Sequence, residues 1–438
     1  MSQQRPVRRS SARPWSVPIA LGFGPEPFDG AAILDEMSGE RALLVWQILR
    51  DVDVWLEQDR RESRILFSSG AGIDRVRQID ALFPREPTVH DALRTLAALL
   101  EGPVRGTGIS AACATLARWA NDQELARTAF AAALRAAAAS PRNPGYCHLA
   151  GVLACRSADY MRAEAWLCRS LVLARRASNA RRYGLSLMSL AGLHRVRCEA
   201  GLAMRRLRQA LRAARRFALR DVRALAYHDL FLVTSTHGSS GRAARYALSA
   251  ARAYGRDQAR LPALAQDVAR FFLLRERAPC ALRLLRAIDE RALHPRERLR
   301  YLSTLARAAG AAGDEPTFRR AWNDLWQWLD ARAADARAAE ALVNLARGAA
   351  RLHDPERVTA AAREAHRIAI LCGARRELAA AERMLEGPAG ERMAELPPRA
   401  RCSDTEIADA SAAAELLIGR LLQATGARSS PAETAAIP

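Results

Sequence analysis

The chemistry open to this chain is set by its arginines. The 438 residues contain no lysine, so all 67 basic side chains are guanidinium groups, set against 47 carboxylates for a formal charge of +20. A guanidinium stays protonated and presents a planar fork of donors that matches the oxygens of carboxylates and phosphates. It is a poor base and a poor nucleophile. Without lysine, a GxxxxGK[ST] phosphate loop, a Schiff base to pyridoxal phosphate or a carbonyl substrate, and the phosphate-pairing lysine of a protein kinase are all excluded. A denser basic zone runs from Arg181 to Arg245, where fourteen arginines face only Glu199, Asp221 and Asp229. Two readings of the excess stand side by side. One is the coding bias of a GC-rich genome on a solvated surface; the other is an anionic partner, either nucleic acid or an acidic protein.

Other reactive side chains are scattered. The eight cysteines, at 113, 147, 155, 168, 198, 280, 372 and 402, form no CxxC and lie beside no histidine at metal-ligand spacing. They read as reduced thiols that pack as small hydrophobes. His237 sits near Ser239 and Ser240 in what reads as a loop from Thr234 to Gly241, but no acid accompanies it and GxSxG is absent. Neither HExxH nor a paired-carboxylate motif occurs. The glycine-containing stretch Ser68 to Gly72 lacks GxGxxG and reads as a linker, too long for the turn of a DNA-reading helix-turn-helix. These absences predict a chain that is not an enzyme and carries no cofactor or metal. Val17 to Phe23 is short and broken by Pro18 and Gly22, and no run of eighteen apolar residues occurs, so the expectation is a cytoplasmic protein with no membrane partner.

The elements that carry these side chains are helices. Alanine, leucine and arginine dominate, all strong helix formers, and no alternating β-branched run is long enough for a buried strand. Residues 1–29 read as a flexible basic arm with Arg5, Arg8, Arg9 and Arg13. A helical segment follows over 30–105, in which Val45, Ile48, Leu49, Val52, Trp55 and Leu56 form one stripe. From 106 to 386 a pattern then returns about every forty residues. Its anchors are the small pairs Cys113-Ala114, Ala150-Gly151, Leu190-Ala191, Leu230-Phe231, Val268-Ala269, Leu305-Ala306 and Leu345-Ala346, spaced by 37, 40, 40, 38, 37 and 40 residues. Twelve residues beyond each pair a second stripe opens, at Ala126, Ala163, Ala203, Ala243, Ala281, Phe318 and Val358. Self-similarity at this period marks stacked helical hairpins, because one hairpin cannot bury its own apolar face. Residues 387–402 read as a linker, 403–425 as a helix capping the last hairpin, opened by the capping box Ser403 and Glu406, and 426–438 as a disordered tail.

The hairpin pattern resembles the tetratricopeptide-repeat family. The clearest unit runs from Pro144 to about Ala177, with Ala150, Gly151, Ala154, Tyr160, Ala163 and Leu167 in the family's consensus places. Most units exceed the usual repeat length and lack the consensus Trp and Pro. That departure brings them closer to the variants found in sensor regions of bacterial transcription activators. The resemblance implies an all-α fold, a right-handed α-solenoid of about seven hairpins, preceded by the small helical segment and binding its ligand on a concave face. Carried onto this sequence, the family's groove-facing positions are His148, Arg156, Arg195, His228, Gln266, Arg270, Arg300, Arg307 and Arg347, with Glu340 the only carboxylate among them. The function this implies is a non-catalytic scaffold or sensor that captures an acidic peptide or protein segment, in signalling or transcription control. The alternative is a basic regulator that touches nucleic acid through its arginine-rich surface, notably the helix Ala203 to Arg216. There Arg205, Arg208, Arg212, Arg215 and Arg216 lie opposite Leu207, Ala210, Leu211 and Ala214.

Overall fold

The computed structural model describes residues 31–57, 70–101, 106–237, 240–255, 257, 259–330, 336–386 and 404–426. The expected basic arm, the linker over 387–402 and the tail beyond Gly426 lie outside them. Among the described residues the structure is all-helical, with twenty α-helices and no strand. The chain divides into two compact units, Met1–Leu219 and Arg220–Pro438.

The first unit opens with α1 (Ala31–Glu36), α2 (Gly39–Glu57), α3 (Ala71–Leu82) and α4 (Pro87–Ala97). Three hairpins follow: α5 (Gly106–Asp122) with α6 (Ala126–Ala139), α7 (Pro144–Arg156) with α8 (Tyr160–Arg176), and α9 (Ala180–Val196) with α10 (Ala200–Arg216). Val45, Ile48, Leu49 and Val52 of α2 are buried as their spacing predicts, in one core with Phe83, Leu93, Leu116 and Leu153. Two polar ties fix this segment to the first hairpin. The Glu36 carboxylate accepts the backbone N–H groups of Arg127 at 2.7 Å and Thr128 at 2.8 Å, satisfying unpaired donors at the positive end of α6. The fully buried Arg135 of α6 donates to the Leu49 carbonyl at 3.0 Å and pairs with Asp53 of α2.

One turn design recurs. Glu124, Ala158 and Cys198 sit in the left-handed region at φ 67°, 60° and 61°. The next N–H reaches back five residues to a carbonyl: Leu125 to Ala120 and Asp159 to Ala154 at 2.9 Å, Glu199 to His194 at 2.8 Å. This bond closes the helix end with a Schellman motif. Five residues after each left-handed position comes a fully buried alanine: Ala129, Ala163 and Ala203. The expectation of Ala126 in the first hairpin is therefore corrected to Ala129. The cause is that α5 runs on past its anchor pair for nearly a turn more than α7 and α9 do, which delays its left-handed turn. In the consensus-like unit a Cβ on Gly151 would fall 2.7 Å from the Leu167 side chain, so a glycine is what lets α7 and α8 close together.

The second unit holds four hairpins: α11 (Arg220–His237) with α12 (Ser240–Tyr254), α13 (Leu261–Leu273) with α14 (Ala278–Arg286), α15 (Pro295–Ala312) with α16 (Glu315–Asp330), and α17 (Ala336–Arg351) with α18 (Pro355–Cys372). After them come α19 (Arg375–Glu386) and α20 (Asp404–Gly426). The left-handed turn returns at Glu276, Gly313 and His353, each five residues ahead of a buried Ala281, Phe318 or Val358. Every anchor pair, in both units, is buried. Thr234 to His237, read from sequence as loop, belong to α11, and the Thr234 hydroxyl donates to the Leu230 carbonyl at 2.7 Å within that helix. Leu325 is buried, and Trp322, Trp326, Trp328 and Leu329 pack against the same core.

The C-terminal helix is placed differently from the sequence expectation. It does not cap the last hairpin; α20 packs along α12 and also touches α13 and α14. Its stripe Ala410, Ala413, Ala414, Leu417 and Leu421 is buried in the core of this unit. Glu415 pairs with Arg283 of α14, and Arg420 donates to the Ala251 carbonyl of α12. The physical reason lies in α12 and α13, which touch each other only slightly. The apolar surface they leave is filled by a helix supplied from the end of the chain.

Candidate functional site

The expected groove residues fall into two groups, one in each unit. In the first unit they sit on α7 and α9. His148 is half-buried between Ser189, 3.0 Å from its Nε2, and Arg182, 3.1 Å from its Nδ1. A guanidinium only donates, so Nδ1 is the acceptor and Nε2–H the donor. Burial, reinforced by the Arg182 charge, pushes the imidazole pKa down to about 4 and keeps the ring neutral. Arg156 is exposed and donates to Asn121 of α5. Arg195 is exposed and makes no hydrogen bond or ion pair among the described residues. These three positions are not drawn into one pocket.

In the second unit the predicted residues converge on the face built by α13, α15 and α17, with α11 at one end. A carboxylate missed by the sequence reading organises that end. Asp267, buried on α13, accepts from His228 Nε2 of α11 at 3.0 Å and from Arg300 Nη1 of α15 at 3.3 Å. Tyr254 lies 3.1 Å from the other His228 nitrogen. Arg300 also donates to Gln266 Oε1 at 3.0 Å and to the Ala263 carbonyl at 3.3 Å. Burial raises the Asp267 pKa, but the hydrogen bond from His228 and the charges of Arg300, His228 and Arg270 outweigh it, and the net shift is downward. Every charge here has a partner. One donor stays open, because Gln266 is fully buried and its Nε2 meets no acceptor among the described residues.

The other end is not balanced in this way. Arg270 of α13 pairs with Glu340 of α17 at 3.1 Å. Arg351, on the same helix, reaches Glu276 at 3.9 Å. Arg307 of α15 has only the neutral Asn344 Oδ1, at 3.4 Å. Arg347, one turn beyond Asn344, has no hydrogen-bond or ion-pair partner among the described residues, although it is half-buried. Burial, and then repulsion from Arg347, Arg270 and Arg351, pulls the Arg307 pKa down to about 9, and burial lowers that of Arg347 as well. Two guanidinium groups are thus held near each other, partly desolvated and without an ion-pair partner among the described residues. Such an arrangement is costly in the free protein and favourable once an anion sits between the forks.

A glycine contact presses these groups together. A Cβ on Gly310 of α15 would fall 2.2 Å from the Gly348 carbonyl oxygen of α17, and one on Gly348 would fall 2.8 Å from the Ala306 carbonyl oxygen. The two helices therefore meet backbone to backbone, one turn from Arg307 and next to Arg347. Asp267, Asn344 and Arg351 were missed for one reason. Only about one residue per turn was assigned to the face, whereas neighbours 100° apart on a helix share its flanks.

The arginine stripe of α10 is as the sequence predicts. Arg205, Arg208, Arg212, Arg215 and Arg216 are exposed, while Leu207, Ala210, Leu211 and Ala214 are buried. Phe217 follows it, about half exposed, with the Arg216 guanidinium 5.4 Å from its ring centre. Seven of the cysteines are described; none is bonded to another, Cys113 and Cys147 are buried, and Cys198, Cys280 and Cys372 are exposed. Among the described residues no cluster of three metal-ligating side chains occurs, and no helix is long and apolar enough to cross a membrane.

No protein-family model matches the chain, and no curated protein matches it. Among solved structures it is similar to BtubC (BKLC) from P. vanneervenii, at 16% identity over 52% of this chain and 92% of that one, with a TM-score of 0.37. It is also similar to a Rap protein complexed with Competence and Sporulation Factor, at 11% identity over 80% of this chain and 87% of that one, TM-score 0.36. A circular tandem repeat protein with a novel repeat topology matches at 17% identity over 90% of this chain and 83% of that one, TM-score 0.17.

Proposed function

We propose that this chain is a non-catalytic, cytoplasmic interaction scaffold or sensor whose second unit captures an acidic peptide or protein segment on the face of α13, α15 and α17. The observation that carries this reading is the pair Arg307 and Arg347, partly buried without a carboxylate partner on a repeat surface. Helical hairpins present side chains in rows, and an extended segment laid across three helices meets Arg300, Arg270, Arg307 and Arg347 in turn. A role in signalling or transcription control fits a chain that binds and does no chemistry. His228 and Asp267, a buried histidine–carboxylate pair, are committed to Tyr254 and Arg300.

The test is recovery of partners from the native host by the full chain at moderate salt, with and without nuclease. A protein partner that survives nuclease, and is lost from Arg270→Ala and Arg307→Ala but kept after truncation of residues 1–29, supports the reading. Recovery of nuclease-sensitive material alone sinks it. That outcome promotes the second reading, contact with nucleic acid through the exposed, acid-free stripe of α10, whose affinity would fall steeply with salt.

A further inference from the structure

We infer that the Arg307–Arg347 pair is built to hold one phosphoryl group, a dianion, rather than a single carboxylate. The inference rests on the anion-capturing role proposed above for this face and names the chemistry of the group captured.

The charge count on α15 and α17 supports it. Of the guanidinium groups that act on Arg307, Arg270 is matched by Glu340 and Arg351 by Glu276, each one to one, and Arg347 is further repelled by Arg376 and Arg383 of α19. Arg307 and Arg347 remain, with two positive charges and no carboxylate. One carboxylate brings one negative charge and two acceptor oxygens; it would leave one guanidinium unbalanced in a partly desolvated place. A phosphate monoester brings about two charges near neutral pH and three acceptor oxygens, enough to engage both forks at once.

The neighbouring groups agree with that assignment. Asn344 accepts from Arg307 and sits one turn before Arg347 on the same helix, so its amide nitrogen is available to a third oxygen. Glu340 makes its ion pair with Arg270, and its charge reaches Arg307 and Arg347 only at longer range, where burial and the surrounding arginines outweigh it. The helix-to-helix contact at Gly310 and Gly348 holds the spacing fixed, so the site is preformed and does not need to close around its ligand.

The experiment is calorimetric titration of the full chain with inorganic phosphate, with free glutamate, and with two acetylated, amidated pentapeptides in which glutamates flank a central serine or phosphoserine. The phosphopeptide is expected to bind at least about tenfold more tightly than its unphosphorylated twin, the loss of one or two charge-assisted hydrogen bonds. Arg307→Gln and Arg347→Gln should each erase that difference, and Arg212→Gln on α10 should keep it. Phosphate binding as tightly as the phosphopeptide would identify free phosphate as the source of the group; a clear preference for the phosphopeptide identifies a modified peptide. Equal affinity of the two peptides, lost in Arg307→Gln, overturns the phosphoryl assignment while leaving acidic-segment capture standing. No binding of any probe overturns both. Unchanged binding in both site variants places the anion elsewhere and overturns the assignment.

Discussion

Gly310 and Gly348 bring two helices into backbone contact, and the side chains that flank this contact are the two unbalanced arginines, Arg307 and Arg347. Packing and site are therefore one feature. Gly310→Ala forces a methyl into the Gly348 carbonyl, which is backbone and cannot swing away. We expect a loss of at least about 1–3 kcal/mol in denaturant unfolding together with weakened anion binding. Gly192→Ala on α9 is the control: no atom lies within 4 Å of the new Cβ. There, replacing a helical glycine should leave stability unchanged or raise it by up to about 1 kcal/mol.

The first unit should lose stability on acidification because of His148. Its folded pKa of about 4 lies below the ordinary 6.5, so the unfolded chain binds a proton that the folded one refuses. The contribution is complete above pH 6.5 and is lost as the pH falls toward 4, on the order of 3 kcal/mol over that window. Melting temperature against pH checks the sign. His148→Gln should flatten the profile between pH 6.5 and 4, and an unchanged profile would remove His148 as the cause.

Arg135 and Asp53 hold the N-terminal helical segment to the first hairpin. Arg135 is fully buried, and Asp53 keeps one carboxylate oxygen without a partner. Arg135→Leu should therefore cost about 3–5 kcal/mol, because it strands the Asp53 carboxylate. The double variant Arg135→Leu/Asp53→Leu should recover a substantial part of that loss in a double-mutant cycle.

Leu417 tests the placement of α20. It is fully buried against the core of the second unit. Leu417→Ala is expected to destabilise that unit by about 2–5 kcal/mol. A helix that merely closed the end of the array would lose far less and would leave α12 unprotected in hydrogen exchange.

Much of this fold was legible because the repeat signal is spread over many residues. Each anchor pair, from Cys113-Ala114 to Leu345-Ala346, is a small buried step that recurs at a fixed distance, and periodicity survives local exceptions. Three matters were not legible, each for a physical reason. The shift from Ala126 to Ala129 depends on where a left-handed Glu124 ends α5, and glutamate gives no hint of that conformation. The seat of α20 depends on apolar surface left by α12 and α13, helices that end well over a hundred residues earlier in sequence. The candidate site was half visible: its arginines could be counted, but which of them had partners depended on Asp267, Asn344 and Glu340 across neighbouring helices.

The most direct test joins stability and binding in one variant. Arg347→Met removes a partly buried charge that has no ion-pair partner among the described residues, so the free protein should melt at the same temperature or higher while its affinity for an acidic peptide falls by about tenfold or more. A site kept for binding shows this opposition of stability and function. If Arg347→Met instead lowers the melting temperature and leaves peptide affinity intact, the arginine serves the fold, and capture on α13, α15 and α17 is contradicted.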